Sequence, residues 1–183
     1  MSYFYYFWTM SKNSLLIYKN QNIMKPTKNL LLMLACLTFI IVIGAGTYEH
    51  VTMVPRWKLA PPSSLTMFQG EFGINPGNFW RFIHPINLLL LIIALVLNWK
   101  TTRRKNILIA LGGYIIIIVA TATYFVPELM KIMATPFANT INADLQARAA
   151  LWEKLSLCRL VVMIVLALQL LSCLTKSPES NRS

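Results

Sequence analysis

Ionisable side chains lie within or at the ends of long apolar blocks of the sequence, and these are the candidate catalytic residues: Glu49, His50, His84, Glu128 and Arg159. Carboxylate and imidazole groups can act as general acids or bases, and a guanidinium can pair with an anion. Such groups are costly inside hydrocarbon unless they face other helices or water. Their position therefore predicts a shared polar pocket.

Counting along the blocks places these groups at a common depth. At a rise of about 1.5 Å per residue, Glu49 lies about 31 Å from Lys28, and His84 lies about 24 Å from Lys100. By the same count, Arg159 lies about 26 Å from the lysine that follows its block. Separate helices therefore bring polar groups to one layer just inside the outer edge of the membrane.

Helical spacing from the catalytic candidates predicts Asn87, Tyr124 and Trp152 as binding residues of this layer. Glu153, an acidic residue at the same membrane face, is the fourth predicted binding residue. The charged members have a second interpretation, as interface residues or structural ion pairs. For Arg159, a buried ion pair with Glu49 or Glu128 and extension toward the interface are both left open. Trp57 and Trp80 are interpreted as aromatic residues of the membrane interface.

Metal and thiol chemistry have little support. The chain has two histidines and no short His-x-x-His or Glu-x-x-His pattern, so we predict no metal site. The cofactor, if there is one, is unknown. Cys36, Cys158 and Cys173 lie in apolar blocks without a C-x-x-C pair, which argues against electron transfer through thiols.

The elements that position these residues are four apolar blocks. The chain has 183 residues, of which 56% are hydrophobic and 13% charged, too apolar a composition for a soluble domain of this size. We predict an all-α fold, an integral membrane four-helix bundle over residues 30–175 with two longer outward-facing loops. The predicted spans are about 30–53, 82–99, 106–127 and 152–175.

The net charge of +11 is concentrated beside these blocks, which favours membrane topology over nucleic-acid binding. Basic residues before the first span, between the second and third, and after the fourth predict that both termini are cytoplasmic in a bacterial inner membrane. Residues 1–29 form a cytoplasmic extension, unless translation starts at Met24 rather than Met1, and residues 176–183 form a cytoplasmic tail.

Three short motifs carry a family resemblance: the Gly44–Gly46 stretch leading to Pro55, the segment Pro136-Phe137-Ala138-Asn139, and Trp152 with Arg159. Over about residues 24–174, the chain resembles the anthrone-oxygenase-like family of small four-span membrane proteins, most of unknown function. The resemblance implies oxidation of an activated aromatic or similar lipophilic compound by dioxygen. His50, His84 or a carboxylate would remove a proton, and Arg159 would stabilise the enolate.

These observations lead to three functional hypotheses. The first is an enzyme acting on a lipophilic small molecule in the outward-facing pocket. The second is a non-catalytic membrane subunit or scaffold, and the third is a small transporter that works as an oligomer. The expected partners are membrane lipid and, for an enzyme, the lipophilic molecule, and homo-oligomers are left open. The sequence does not identify the substrate.

Overall fold

The computed structural model describes residues 26–175. Most of the predicted N-terminal extension and the predicted tail 176–183 therefore lie outside the described residues. Four helices in the described range are long and apolar enough to cross a membrane: α1 (Pro26–Trp57), α2 (Gly77–Leu97), α3 (Arg104–Met133) and α4 (Ala143–Leu171). The described residues contain no strand. The all-α four-helix bundle is therefore confirmed.

The outward surface of the helices is apolar, as expected for a bundle whose solvent is lipid. Large side chains such as Phe82, Ile116 and Leu168 are 73%, 70% and 62% exposed. In water such a surface would cause aggregation, whereas hydrocarbon solvates it. The chain is an integral membrane protein.

Neighbouring helices pack against each other to form the bundle. Helix α2 packs on α3, and α3 packs on α4. Helix α1 approaches α4 at Gly46, where an added Cβ would lie 3.4 Å from the Leu160 side chain. Phe39 of α1 and Tyr114 of α3, both fully buried, meet in the middle of the bundle with ring centroids 5.1 Å apart. The centre of the bundle is therefore filled.

The two ends of the bundle differ. We call the end with residues 98–103, between α2 and α3, the short-connection end. The opposite end, which carries residues 58–76 and 134–142, is the loop end. At the loop end the 3-10 helix Ser63–Phe68 packs over the bundle, and Gln146 of α4 donates a hydrogen bond to the Leu59 carbonyl (3.0 Å). The first long connection is thus held against the start of α4.

Buried apolar side chains form two cores. The central core extends from mid-bundle to the short-connection end and includes Phe39, Leu91, Tyr114 and Leu160. The loop-end core consists of Val54, Trp57, Leu65, Phe125, Ile132, Leu145, Ala149 and Trp152. The helix segments between these two cores carry the polar side chains of the candidate site.

Helices α1 and α3 each contain a π-helical turn, at Glu49–Met53 and Thr121–Phe125. Each turn is followed by a Val-Pro pair. Because proline lacks an N–H and its ring crowds the carbonyl of the fourth residue before it, the wider turn relieves the clash at Pro55 and Pro127. The same local rule therefore shapes both helices at the level of the polar layer.

Candidate functional site

The first group of polar residues joins α1, α3 and α4. We call it the arginine cluster, and its members are His50, Thr121, Ser156 and Arg159. Arg159 Nη1 donates to Thr121 Oγ1 (2.9 Å), and Nη2 donates to Ser156 Oγ (3.0 Å). A 3.0 Å hydrogen bond joins Ser156 Oγ to His50 Nε2. The structure thus brings two predicted catalytic residues, His50 and Arg159, to a common serine.

The proton positions in the arginine cluster follow from its partners. Ser156 Oγ accepts from Arg159, and the hydroxyl has no acceptor among the described residues other than His50 Nε2. We therefore assign the hydroxyl hydrogen to this bond and the imidazole proton to Nδ1. His50 Nδ1 and Arg159 Nε are then two buried N–H donors, and within residues 26–175 neither has a hydrogen-bond partner.

The Arg159 guanidinium has little compensation for its charge. Its carbon lies 4.2 Å from the centroid of the Phe125 ring, a cation–π contact that partly replaces lost hydration. Glu49 attracts the guanidinium electrostatically, but the ion pairs found among the described residues do not include Arg159. A buried cation without a contacting anion is costly, particularly in a membrane.

The second group of polar residues joins α1, α2 and α3. We call it the tryptophan cluster, and its members are Glu49, Trp80, His84 and Tyr114. Trp80 Nε1 donates to Glu49 Oε1 (2.7 Å), and its ring stacks on His84 with centroids 5.1 Å apart. His84 Nδ1 is hydrogen-bonded to the Tyr114 hydroxyl (2.7 Å). His84 is thus held between an indole and a phenol, and Glu49 is oriented by the indole.

Asn87 is the predicted binding residue that lies deepest in the bundle. Its side chain is fully buried, and Oδ1 accepts a 2.8 Å hydrogen bond from Thr38 of α1. Asn87 Nδ2 has no hydrogen-bond partner among the described residues. Asn87 therefore links α1 to α2 inside the central core.

Two predicted acidic residues form ion pairs outside both clusters. Glu128 accepts a 2.7 Å hydrogen bond from Arg148 Nε, and Glu153 pairs with Lys58. These pairs join the loop-end extensions of the helices to each other and to the first long connection. Glu128 is thus paired with Arg148 and not with Arg159.

Of the predicted binding residues Trp152 and Tyr124, the first lies inside the bundle and the second at its surface. Trp152 is buried in the loop-end core, where Nε1 donates to the Phe125 carbonyl (2.9 Å), and its ring lies beside His50. Tyr124 is 37% exposed. The π turn places the neighbouring Phe125 inward instead, because a wider turn shifts the helical register relative to the α-helical spacing used for the prediction.

Metal ligands are not grouped in the described part of the chain. No three side chains of His, Cys, Asp or Glu there are close enough to hold a metal ion. His50 and His84 belong to the arginine cluster and the tryptophan cluster respectively, so the two imidazoles serve different neighbours.

Comparison with known proteins gives no further assignment. No protein family, no curated protein and no solved structure matches the chain. The resemblance to the anthrone-oxygenase-like family therefore stays a prediction, and the function is argued from the two clusters.

The sequence did not predict Ser156 and Tyr114 as members of the clusters, and it predicted a different role for Trp80. Ser156 lies three residues before Arg159 and four after Trp152, so the stripe that predicted those two also contains it. Trp80 was interpreted as an interface aromatic, but its indole contacts both Glu49 and His84. Tyr114 is followed by a run of isoleucines, and nothing in that run marks its hydroxyl as functional.

Together the clusters combine a carboxylate with buried N–H donors. Glu49 Oε2 has no hydrogen-bond partner among the described residues, so this oxygen is available to accept a proton. The unpaired donors of His50 and Arg159 are suited to an oxygen atom that becomes negatively charged. A base and oxyanion-stabilising donors are the two kinds of group used in proton removal next to a carbonyl.

Proposed function

We propose that this membrane protein is an enzyme that removes a proton from a lipophilic carbon acid and holds the resulting enolate between its helices. The observation that carries the proposal is the pair of buried nitrogens without a partner among the described residues, His50 Nδ1 and Arg159 Nε, in one hydrogen-bonded cluster. Native proteins rarely leave such donors unsatisfied without a reason. An anionic oxygen of a ligand satisfies both the donors and the guanidinium charge.

Glu49 is the proposed base. Trp80 fixes one of its oxygens by a charge-assisted hydrogen bond, which limits the rotation of the carboxylate and leaves the second oxygen for the substrate proton. The Arg159 guanidinium is near enough to attract Glu49. The negative charge that develops on a substrate beside this base is therefore close to a cation. The base and one oxyanion donor, His50, lie on α1, and the other donor, Arg159, lies on α4, so two helices act on one substrate.

Arg159 and His50 are the proposed oxyanion-stabilising residues. The polar layer lies between the central core and the loop-end core, so water is largely excluded and hydrogen bonds to a charged oxygen are strong. Loss of a single oxyanion donor typically lowers the rate by about 10²–10³-fold. Ser156 and Thr121 position the guanidinium by accepting its other N–H groups.

The oxidative step of the proposal is supported by the family resemblance. Carbanion attack on dioxygen forms a hydroperoxide, and loss of water from it leaves a carbonyl. A CH₂ group and O₂ are thereby converted to C=O and H₂O, so dioxygen is the oxidant and accepts the electrons of two C–H bonds. Proton removal precedes this step and can be measured without it.

The direct test is hydrogen–deuterium exchange at an acidic C–H under nitrogen. The purified protein in lipid nanodiscs in D₂O is given a long-chain benzyl ketone, and deuterium uptake is followed by mass spectrometry. We expect the wild type to accelerate uptake, Glu49→Gln to abolish the acceleration, and Arg159→Lys to lower it by about 10²-fold. Glu71→Gln and Arg56→Lys, both exposed at the loop end, are the matched controls.

The outcomes separate the functional hypotheses. If the wild type does not accelerate uptake for this ketone or for phenolic and 1,3-dicarbonyl analogues, the enzyme proposal is wrong and the polar clusters are structural, as in a scaffold. If uptake is accelerated equally by Glu49→Gln, the base has been assigned wrongly. Oxygen consumption in air then tests the oxidative step separately.

We also propose that the loop end faces the outside of the cell and that both termini are cytoplasmic. Every acidic residue in the described part lies toward the loop end, and the basic short connection favours the cytoplasmic side. A membrane-impermeant maleimide should label Thr140→Cys in intact cells. It should label Thr175→Cys only after the cells have been permeabilised. The reverse pattern would contradict this topology.

A further inference from the structure

The short-connection end of the bundle carries only positive charge among the described residues. Its cationic side chains are Lys28, Lys100, Arg103, Arg104 and Lys105. The acidic residues of the described part lie at the other end, in α1 from Glu49 onward, in the first long connection and near the loop-end helix termini. The charge of this end is therefore not neutralised by the described protein itself.

Arg104 has a specific arrangement within this patch. Its guanidinium carbon lies 5.0 Å from the centroid of the Trp99 ring, and both residues are exposed. The guanidinium forms no hydrogen bond and no ion pair with other described residues. The cation–π contact with the indole restricts the guanidinium while its N–H groups stay available, and guanidinium N–H groups bind phosphate oxygens bidentately.

The surroundings of the pair indicate its depth. Two large apolar residues that face lipid lie about one turn from the pair's basic residues. Val96 in α2 is four residues before Lys100 and is 65% exposed, and Leu108 in α3 is four residues after Arg104 and is 40% exposed. Tryptophan side chains prefer the level of the lipid headgroups. The Trp99–Arg104 pair therefore lies where acyl chains end and phosphates begin.

We propose that the Trp99–Arg104 pair, with Lys100 and Lys105, is a binding site for the phosphate of an anionic phospholipid. Charge complementarity favours an anionic lipid over a zwitterionic one, because each nearby cation gains attraction that a neutral headgroup does not offer. The lipid's acyl chains pack beside Val96 and Leu108. This site is separate from the arginine cluster and does not depend on the proposed enzyme activity.

The test compares two lipids on the full chain. Protein purified in detergent is titrated with phosphatidylglycerol or phosphatidylcholine, and retained lipid is counted by native mass spectrometry. We expect tighter retention of phosphatidylglycerol, and about fivefold weaker retention in Arg104→Gln, the effect of removing one cation near a lipid phosphate. Lys131→Gln, an exposed cation at the loop end, is the matched control and should bind as the wild type does.

Trp99→Phe and Trp99→Ala address the role of the ring. We expect Phe to retain most of the binding, because it keeps an aromatic face, and Ala to weaken it about as much as Arg104→Gln. Equal retention of the two lipids by the wild type would overturn the proposal. So would equal effects of Arg104→Gln and Lys131→Gln, because binding would then follow net charge and not this site.

Discussion

Gly112 and Gly113 in α3 offer a matched pair of substitutions with opposite expected effects. A Cβ at Gly113 would lie 2.6 Å and 2.7 Å from the two methyl groups of Leu166 in α4, whereas a Cβ at Gly112 would have no atom within 4 Å. Gly113→Ala therefore inserts a methyl group into a close contact between α3 and α4. Gly112→Ala adds the same methyl group toward lipid.

The magnitude follows from the overlap. Carbon atoms prefer a separation of about 3.5–4.0 Å, so the Leu166 methyl groups must move by roughly 1 Å or the helices must separate. Overpacking of this kind costs about 1–3 kcal/mol. Gly112→Ala should range from no effect to a gain of about 1 kcal/mol, because alanine has the higher helix propensity.

The assay is equilibrium unfolding in mixed micelles, with increasing mole fraction of sodium dodecyl sulfate and helicity followed by circular dichroism. We expect Gly113→Ala to be at least about 1 kcal/mol less stable than Gly112→Ala. Leu166→Val removes the colliding methyl positions, so its combination with Gly113→Ala should cost less than the sum of the two single changes.

Equal stability of the two alanine variants would refute the reasoning, because the α3–α4 contact would then be loose enough to accept a methyl group. Strict additivity of the Gly113 and Leu166 changes would lead to the same conclusion. Either result would mean that the Leu166 side chain or the two helices can move aside at little cost.

Three further predictions concern the polar residues. Ser156→Ala removes the shared partner of His50 and Arg159 and should lower stability by about 1–3 kcal/mol in the same unfolding assay; an unchanged midpoint would contradict the hydrogen bonds described. Tyr114→Phe removes the hydroxyl group that is hydrogen-bonded to His84 and should lower stability by about 1 kcal/mol. A neutral result would mean that this hydrogen bond contributes no net stability. Glu128→Gln breaks a partly exposed ion pair and should change stability by less than about 1 kcal/mol; a larger loss would show that the pair holds the loop end together.

The fold was predictable because hydropathy marks membrane spans strongly. The predicted spans, about 30–53, 82–99, 106–127 and 152–175, all fall largely within observed helices. Counting at a fixed rise per residue predicted a common level for the polar groups, and their depth in a membrane stays a prediction. The long helical extensions at the loop end were not predicted, since they are less apolar and pack on each other rather than on lipid.

The facing of side chains was harder to predict than their depth. Counting with a period of 3.6 residues assigned Tyr124 to the site, but the π turn places Phe125 inward and leaves Tyr124 at the surface. Glu128 and Glu153 both lie toward the loop end, where they form ion pairs with Arg148 and Lys58 respectively. In lipid-facing helices both faces are apolar, so periodicity alone gives little information on which residues face inward.

The packing of apolar cores above and below the polar layer has a kinetic consequence for any ligand of that layer. Both ends of the bundle are filled by side chains, so a molecule that reaches Arg159 by the least disruptive route passes sideways between helices from the surrounding bilayer. Its capture rate is then set by its mole fraction in the bilayer, from which it enters. Diluting the protein with extra lipid at constant total ligand should therefore slow binding, because the mole fraction of the ligand in the bilayer falls.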